Sequence, residues 1–157
     1  MSGDWNRGEV SFEFVSKSEA ETEAFGRELA SSLSAGDVVY LIGELGAGKT
    51  ALSRGLAAGL GAAPREVASP TFAILNEYAA PGGTIVMRHL DLYRLADDPR
   101  DLEVLGLPGA LAGAPTAVEW PGAAIRSVVP PSVEVRFSTE GDGRRLIGVE
   151  RLKLPPG

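Results

Sequence analysis

Residues 38–50 read VVYLIGELGAGKT, and this stretch decides the fold class of the chain. Its first five residues, Val38–Ile42, form an uninterrupted β-favouring run, the pattern of a strand covered on both faces. The next eight residues match the motif G-x-x-x-x-G-K-S/T without exception. Leu52, Leu56 and Leu60 then recur every four residues, which predicts a helix with one buried face. Strand, glycine-rich loop and helix therefore follow one another directly, in the order of a phosphate-binding loop.

The glycine-rich loop is the predicted nucleotide site. Its glycines let backbone N–H groups turn toward one concave space, and the N-terminus of the helix adds partial positive charge, so a polyphosphate finds donors on several sides. We expect Lys49 to reach the β- and γ-phosphates and the Thr50 hydroxyl to ligate Mg²⁺. The residues expected to hold the nucleotide along this segment are Gly43, Leu45, Gly46, Ala47, Gly48, Lys49, Thr50 and Ala51.

Composition limits the remaining possibilities. A length of 157 residues predicts one domain, 1–157, with frayed ends at about 1–8 and 153–157. The net charge of −6 gives no general attraction to nucleic acid, and the absence of cysteine excludes disulfides and thiolate chemistry. No apolar run is long enough for a signal peptide or a membrane span, so we expect a cytoplasmic protein with no membrane role. Twenty glycines are unusual and need a reason.

The rest of the chain predicts a mixed sheet. The fold class that follows is α/β, a P-loop NTPase-like three-layer sandwich with a mixed central sheet that includes antiparallel hairpins. A capping box at Ser18 predicts the start of a first helix, and Pro99–Leu107 is predicted as a short helix. The predicted strands outside the first motif are an edge strand at Ser11–Val15, a hairpin of Phe72–Ala79 with Thr84–Leu92, a strand ending at Glu119, and a hairpin of Ser132–Ser138 with Arg145–Val149.

Two carboxylates, Asp91 and Glu119, end predicted strands. A carboxylate at the end of a buried strand is costly unless it is paired or bound to a cation, and a P-loop needs a carboxylate near its metal. Each residue also has a plainer interpretation, since Asp91 could cap the following turn and Glu119 could simply break a strand. Both positions fit ligands of a metal site better than they fit ordinary positions in a sheet.

Three further features each have two possible interpretations. Ser69-Pro70-Thr71-Phe72 is either a loop that senses the γ-phosphate or a proline turn that leads into the next strand. His89 is the only histidine, and a single histidine of this kind is more typical of a hydrogen-bonded core residue than of a catalytic base. Trp120 either stacks near the nucleotide or fills the core.

The motifs taken in order resemble one family. GELGAGKT at 43–50, SPTF at 69–72, HLDLYR at 89–94 and VEWP at 118–121 form the ordered signature of TsaE, also called YjeE. That family consists of small bacterial ATPases that serve in making threonylcarbamoyladenosine at position 37 of tRNAs. The resemblance covers roughly 18–121, and four motifs in order are far more specific than a P-loop alone.

The resemblance implies a role for each matching residue. It implies that Lys49 and the Gly46–Thr50 backbone hold the phosphates, and that Trp120 lies close to the nucleotide. It gives Asp91 the Walker B part and places Thr71 in a switch-like loop. The implied catalytic residues are Lys49, Asp91, Glu119 and Thr71, and the implied metal ligands are Thr50, Glu119 and Asp91. It also suggests that Glu19 and Arg144 border the ATP, with a capping-box member and a solvated hairpin arginine as the plainer interpretations.

The family also implies an activity and partners. It implies ATP with Mg²⁺, ADP as product, and action with the proteins TsaB and TsaD, so that tRNA is met only indirectly through the complex. The sequence shows no obvious arginine finger, so hydrolysis by the chain alone should be weak. A small-molecule kinase would need a second substrate pocket and an arginine-bearing lid, whereas a GTPase would need an N/T-K-x-D motif, which is absent. A nucleotide-gated binding module without hydrolysis is the non-enzymatic alternative.

Overall fold

A computed structural model describes residues 10–44, 48–63, 67–72, 75–93, 111 and 113–152. The helices are α1 Glu19–Ala30, α2 Lys49–Gly59 and α3 Ala123–Val128. The strands are β1 Val10–Ser16, β2 Val38–Ile42, β3 Val67–Phe72, β4 Leu75–Ala79, β5 Ile85–Asp91, β6 Thr116–Glu119, β7 Val133–Thr139 and β8 Arg145–Arg151. The predicted helix at Pro99–Leu107 and the predicted frayed ends at 1–8 and 153–157 lie outside the described residues.

The eight strands form one mixed sheet in the order β1-β8-β7-β2-β6-β5-β4-β3. Strand β2 runs parallel to both β6 and β7, and β5 runs parallel to β6. The hairpins β4–β5 and β7–β8 are antiparallel, and β1 lies at one edge beside β8. The predicted mixed sheet with antiparallel hairpins is therefore confirmed, and the P-loop strand lies inside it.

Helices cover both faces of this sheet, because side chains alternate along each strand. In β2, Val39 and Leu41 pack into one apolar cluster with α1 and α2, whereas Val38 and Tyr40 pack into another with α3. The run Val38–Ile42 is apolar throughout because both of its faces are covered. The result is the predicted three-layer arrangement.

The structure differs from the sequence prediction at β3 and α3. The sequence predicts a loop or a proline turn before a strand that begins at Phe72, but Ser69, Pro70 and Thr71 already lie in β3, which pairs antiparallel with β4 at the edge of the sheet. The pairing shifts register between Ala68 and Phe72, and an edge strand with such an irregularity accommodates Pro70, which has no N–H to donate. The short helix α3 was not predicted.

Close packing of α1 against α2 explains part of the glycine surplus. A Cβ on Gly55 would overlap the carbonyl oxygen of Glu23, and a Cβ on Gly26 would lie 2.6 Å from the carbonyl oxygen of Leu52. Backbones approach this closely only where side chains are missing. The glycines therefore let α2, which begins at Lys49, dock tightly on α1.

Within the described ranges, no helix combines the length and apolar character needed to cross a membrane.

Candidate nucleotide site

The carboxyl ends of three parallel strands meet at one edge of the sheet. Asp91 ends β5 and is the register partner of Glu119, which ends β6. Glu119 is in turn the register partner of Leu41, one residue before β2 ends and the glycine-rich loop begins. The topology thus places both predicted carboxylates beside the start of the P-loop, at the edge where open α/β sheets bind ligands.

Lys49 is the first residue of α2 and is nearly buried, with 4% of its surface exposed. Gly48 precedes it with φ of +107°, a left-handed conformation that glycine adopts without strain. The Lys49 ammonium donates to the carbonyl oxygen of Gly43 at 2.6 Å. Burial lowers the Lys49 pKa, while the negative charges of Glu119 and Asp91 oppose that shift. The lysine therefore lies within the electrostatic field of both carboxylates.

Trp120 forms a second contact with this ammonium. The Lys49 Nζ lies 3.4 Å from the centroid of the Trp120 ring, a cation–π geometry. The other aromatic neighbour is Tyr93, whose ring centroid is 4.9 Å away. Trp120 has φ of 58°, and among the described residues it is the one non-glycine with a positive φ. Backbone strain of this kind clusters at functional sites, and Trp120 packs on Lys49 rather than within either apolar cluster.

His89 contacts Glu119, a contact that sequence reasoning missed. The His89 Nε2 lies 2.6 Å from Glu119 Oε2, and both side chains are almost buried. An ionised carboxylate only accepts hydrogen bonds, so Nε2 carries a proton and donates it. The signal was present in the alternation of β5, which puts His89 on the same face as Asp91. What single-sequence reasoning lacked was the register of β5 against β6.

A cavity of about 240 Å³ lies beside the start of α2. Lys49, Thr50 and Glu119 line it, and so do Glu19 from the start of α1 and Arg145 from β8. The capping box of α1 uses Ser18 and Glu21, since the Glu21 N–H donates to Ser18 Oγ at 3.1 Å and the Glu21 carboxylate accepts from the Lys17 N–H. Glu19 is therefore not part of the capping box.

In the structure Arg145 lines the cavity, whereas the predicted Arg144 does not. Arg144 does not line the cavity; its guanidinium is half exposed and pairs with Asp142 at 2.6 Å. Arg145, the next residue, lines the cavity and donates to the Gly143 carbonyl at 2.7 Å. Adjacent residues point in different directions, and a one-residue assignment in a hairpin needs the strand register.

The remaining predicted residues differ in where they lie. Ala51 lines the cavity with Gly48, whereas Leu45, Gly46 and Ala47 lie outside the described residues. Thr71 is in β3, two strands away from β5 in the sheet order.

The oxygen donors at this edge suit a hard cation. Thr50 and Glu119 share the cavity, and Asp91, which accepts from the Tyr93 N–H at 3.0 Å, ends the adjacent strand. In the described part of the chain, no cluster of three or more histidine and acidic side chains could hold a metal alone. Mg²⁺ typically takes one or two protein ligands and completes its shell with phosphate and water. The residues present therefore fit Mg²⁺ that arrives with a nucleotide.

A larger cavity of about 600 Å³ is lined in part by Gly43 and Glu44. Trp120, Arg126 and Phe137 also contribute to its wall. It shares Trp120 with the neighbourhood of the Lys49 ammonium.

Comparison with known proteins gives a consistent result. The model of the family described as threonylcarbamoyl adenosine biosynthesis protein TsaE matches residues 16–147. A relative from Rickettsia bellii, named tRNA threonylcarbamoyladenosine biosynthesis protein TsaE, is 36% identical over 86% of this chain and 92% of its own length. A relative of the same name from Synechocystis is 42% identical over 72% of each chain. The crystal structure of Bacillus subtilis YdiB superposes with a TM-score of 0.69 at 28% identity, over 92% of this chain and 88% of that one. The family match, spanning all four sequence motifs, shows that this chain belongs to the TsaE family.

Proposed function

We propose that this chain is a P-loop ATPase that binds ATP with Mg²⁺, hydrolyses it to ADP, and serves threonylcarbamoyladenosine biosynthesis on tRNA. The observation that carries the proposal is the convergence of Lys49, Asp91 and Glu119 at one sheet edge. These residues are far apart in sequence, and a buried cation beside two carboxylates next to a cavity is an arrangement suited to phosphate and metal. Relatives over most of the chain carry the name of that biosynthesis.

Each residue has a role that follows from its chemistry. The backbone N–H groups of the P-loop and the N-terminus of α2 bind the phosphates. Lys49 leaves the Gly43 carbonyl and pairs with the β- and γ-phosphates, because phosphate oxygens are stronger acceptors than a neutral carbonyl. Thr50, Glu119 and Asp91 would hold Mg²⁺, which would supply positive charge to neutralise the charge that develops on the phosphoryl group. Trp120 lies close to the nucleotide, and Thr71 of the edge strand β3 belongs to a switch-like segment that responds to it.

Two residues outside the P-loop would complete the nucleotide site. Glu19 and Arg145 line the same cavity as Lys49 and Thr50, so both are candidates to border the bound nucleotide. Arg144 remains a candidate through its adjacent position in the hairpin, although its present partner is Asp142.

The proposed partners are TsaB and TsaD, with tRNA met only indirectly through the complex. A net charge of −6 fits this division of labour, because phosphate backbones are bound through clustered lysine and arginine. Hydrolysis by the isolated chain is weak, since a P-loop site that lacks an added arginine turns over slowly. Partner binding completes or orders the site.

Phosphate release from ATP, measured with and without TsaB and TsaD, tests the proposal. We expect slow release from the chain alone and faster release with the partners. Lys49→Ala and Glu119→Ala should each abolish the increase. Arg54→Ala removes an exposed cation from the same helix α2, and Glu150→Ala removes an exposed carboxylate from β8, so these two controls should behave like the parent. If the site variants stayed as active as the parent, the assignment would be wrong.

The kinase alternative keeps one supporting observation, the cavity of about 600 Å³ beside Trp120. A kinase would pass phosphate to a metabolite bound there instead of to water. The ratio of ADP formed to inorganic phosphate released in a bacterial metabolite extract separates the two. Equal amounts support hydrolysis, whereas ADP in excess over phosphate supports transfer.

A further inference from the structure

We propose that His89 is a positioning residue. The hydrogen bond from its Nε2 fixes the orientation of the Glu119 carboxylate at the nucleotide site. The proposal rests on the proposed function, because it concerns how Glu119 meets Mg²⁺ and phosphate. It gives a role to the histidine that the sequence alone indicated was a core residue.

Strand geometry brings the two side chains together. His89 precedes Asp91 by two residues on β5, so both project toward the face covered by α2. The register partner of His89 is Ala117, which is two residues before Glu119 on β6. The small Ala117 side chain opposite His89 leaves room for the imidazole to reach along the strand. The 2.6 Å contact between Nε2 and Oε2 is the outcome.

His89 is the hydrogen-bond partner of Glu119 within the described residues. The side chains of His89 and Glu119 are 12% and 10% exposed, so water does little of the orienting. Lys49 acts on Glu119 through charge but forms no ion pair with it within 4.0 Å among the described residues. One carboxylate oxygen is therefore taken by His89, and the other remains for a ligand in the cavity that Glu119 lines.

The pairing opposes a repulsion that is built into the sheet. Asp91 and Glu119 are directly opposed on neighbouring strands, where like charges destabilise each other. A glutamate has three side-chain torsions, so without a donor its carboxylate would turn away from Asp91. A hydrogen bond from a buried imidazole restricts those torsions, as partners of metal-binding carboxylates commonly do. We infer that His89 acts on catalysis through Glu119 and does not itself touch the nucleotide.

Two substitutions of His89 separate the effect of the hydrogen-bond donor from the effect of side-chain size. In His89→Gln the side-chain amide nitrogen can occupy the position of Nε2, whereas in His89→Asn it reaches only the position of Nδ1. Both variants are neutral and polar, so they differ mainly in whether the donor reaches Glu119. Glu77→Gln serves as the control, because it disrupts the Glu77–Arg88 ion pair of the same hairpin on the opposite face of the sheet.

The readouts are kcat with the partners present and the gain in ADP affinity that Mg²⁺ produces, measured by calorimetry with and without Mg²⁺. We expect His89→Asn to lower kcat and the Mg²⁺ effect by about 10- to 100-fold, with ADP binding in the absence of Mg²⁺ unchanged. His89→Gln should restore both readouts, and Glu77→Gln should leave both unchanged. In a Glu119→Ala background, His89→Asn should have no further effect on the Mg²⁺ gain, because its partner is gone.

The outcomes distinguish this inference from the proposed function. If the parent binds no nucleotide and releases no phosphate, both are overturned. If the parent is active and folded His89→Asn has the same kcat and the same Mg²⁺ gain as the parent, only the positioning role is overturned. The same holds if folded His89→Gln loses as much kcat and Mg²⁺ gain as His89→Asn does. If His89→Asn fails to fold, the comparison of His89→Gln with the parent still decides, since the proposal requires that variant to keep the Mg²⁺ gain.

Discussion

The two ends of strand β2 both carry buried charges, but they use them differently. At the amino end, Asp37 accepts from the Ser34 N–H at 2.8 Å, from Ser132 Oγ at 2.9 Å and from Arg151 at 3.3 Å. At the carboxyl end, Lys49 has a carbonyl and an aromatic face as partners, and the Glu119 carboxylate has one hydrogen bond among the described residues. At the amino end the Asp37 carboxylate is satisfied by partners within the protein, whereas at the carboxyl end Lys49 and Glu119 border a cavity and have bonding capacity left for a ligand.

This difference separates a structural charge from a functional one. A buried carboxylate that is fully paired fixes the fold, and removing its partner costs stability. A buried cation that is held by weak acceptors costs energy in the free protein and regains it when a stronger acceptor arrives. Variants at the two ends should therefore separate stability from activity.

Lys49→Ala should give the largest change in activity. Losing the cation that meets the phosphates should lower partner-stimulated kcat by about 10²- to 10³-fold. Stability should change far less, because the substitution also removes a charge whose pKa burial already lowers. Phosphate release and thermal unfolding of the same preparation check both parts. A loss of activity that merely followed a loss of folded protein would contradict the comparison.

Asp37→Ala should do the reverse at the other end of the strand. It leaves the Arg151 guanidinium without its buried partner, so the free energy of unfolding should fall by about 3 kcal/mol. Activity per folded molecule should stay at the parent level, since Asp37 lies at the opposite end of β2 from the P-loop. Urea unfolding measures the first quantity. Asp142→Ala, which breaks an exposed pair with Arg144, is the control and should unfold like the parent.

The sequence predicted the local features of this site better than the contacts between distant strands. The strand, loop and helix from Val38 to Leu60 could be predicted because that motif is contiguous and its residue types are dictated by backbone geometry. Asp91 and Glu119 could be proposed because carboxylates at strand ends are costly. The contact of His89 with Glu119 and the choice of Arg145 over Arg144 at the cavity depend on register, which no single sequence specifies.

The same limit explains the errors in the fold. Pro70 favoured a turn, and only the position of β3 at the sheet edge makes a strand acceptable there. The glycines of α1 and α2 gave no local signal, because their reason is a helix contact between segments about thirty residues apart.

Gly55→Ala tests whether the stability of the fold and the activity of the site both depend on the packing of α2 against α1. The added methyl group would overlap the Glu23 carbonyl, so we expect α2 to shift and the free energy of unfolding to fall by about 1–3 kcal/mol. Because α2 begins with Lys49, activity per folded molecule should fall as well. Gly55→Ala should therefore lower both stability and activity, whereas Lys49→Ala mainly lowers activity and Asp37→Ala mainly lowers stability. Gly148→Ala is the control, since its Cβ would meet no atom within 4 Å. A stabilised Gly55→Ala, as expected for an open helix position, would mean that the helices are less tightly docked.

Tyr40→Phe gives the smallest expected effect and examines the closed face of the same strand. The Tyr40 hydroxyl donates to the Val129 carbonyl oxygen at 2.5 Å, so its loss should cost about 1 kcal/mol at neutral pH. Burial raises the Tyr40 pKa from 10.0 to about 12, with the Arg126 charge opposing the shift. Between these two values the unfolded chain loses the proton while the folded chain keeps it. The free energy of unfolding of the parent should therefore decline as pH rises through that window.

The pH dependence makes this small effect measurable, because Phe cannot ionise. The stability advantage of the parent over Tyr40→Phe should be constant below pH 10.0 and should shrink and then reverse as the pH rises from there toward about 12. The other tyrosines titrate in both proteins, so their contributions cancel in the difference. Urea unfolding of the pair across alkaline pH measures it. A difference that stayed constant across this range would mean that Tyr40 ionises as readily in the folded chain as in the unfolded one, and that the middle of β2 is less closed than its hydrogen bond to Val129 indicates.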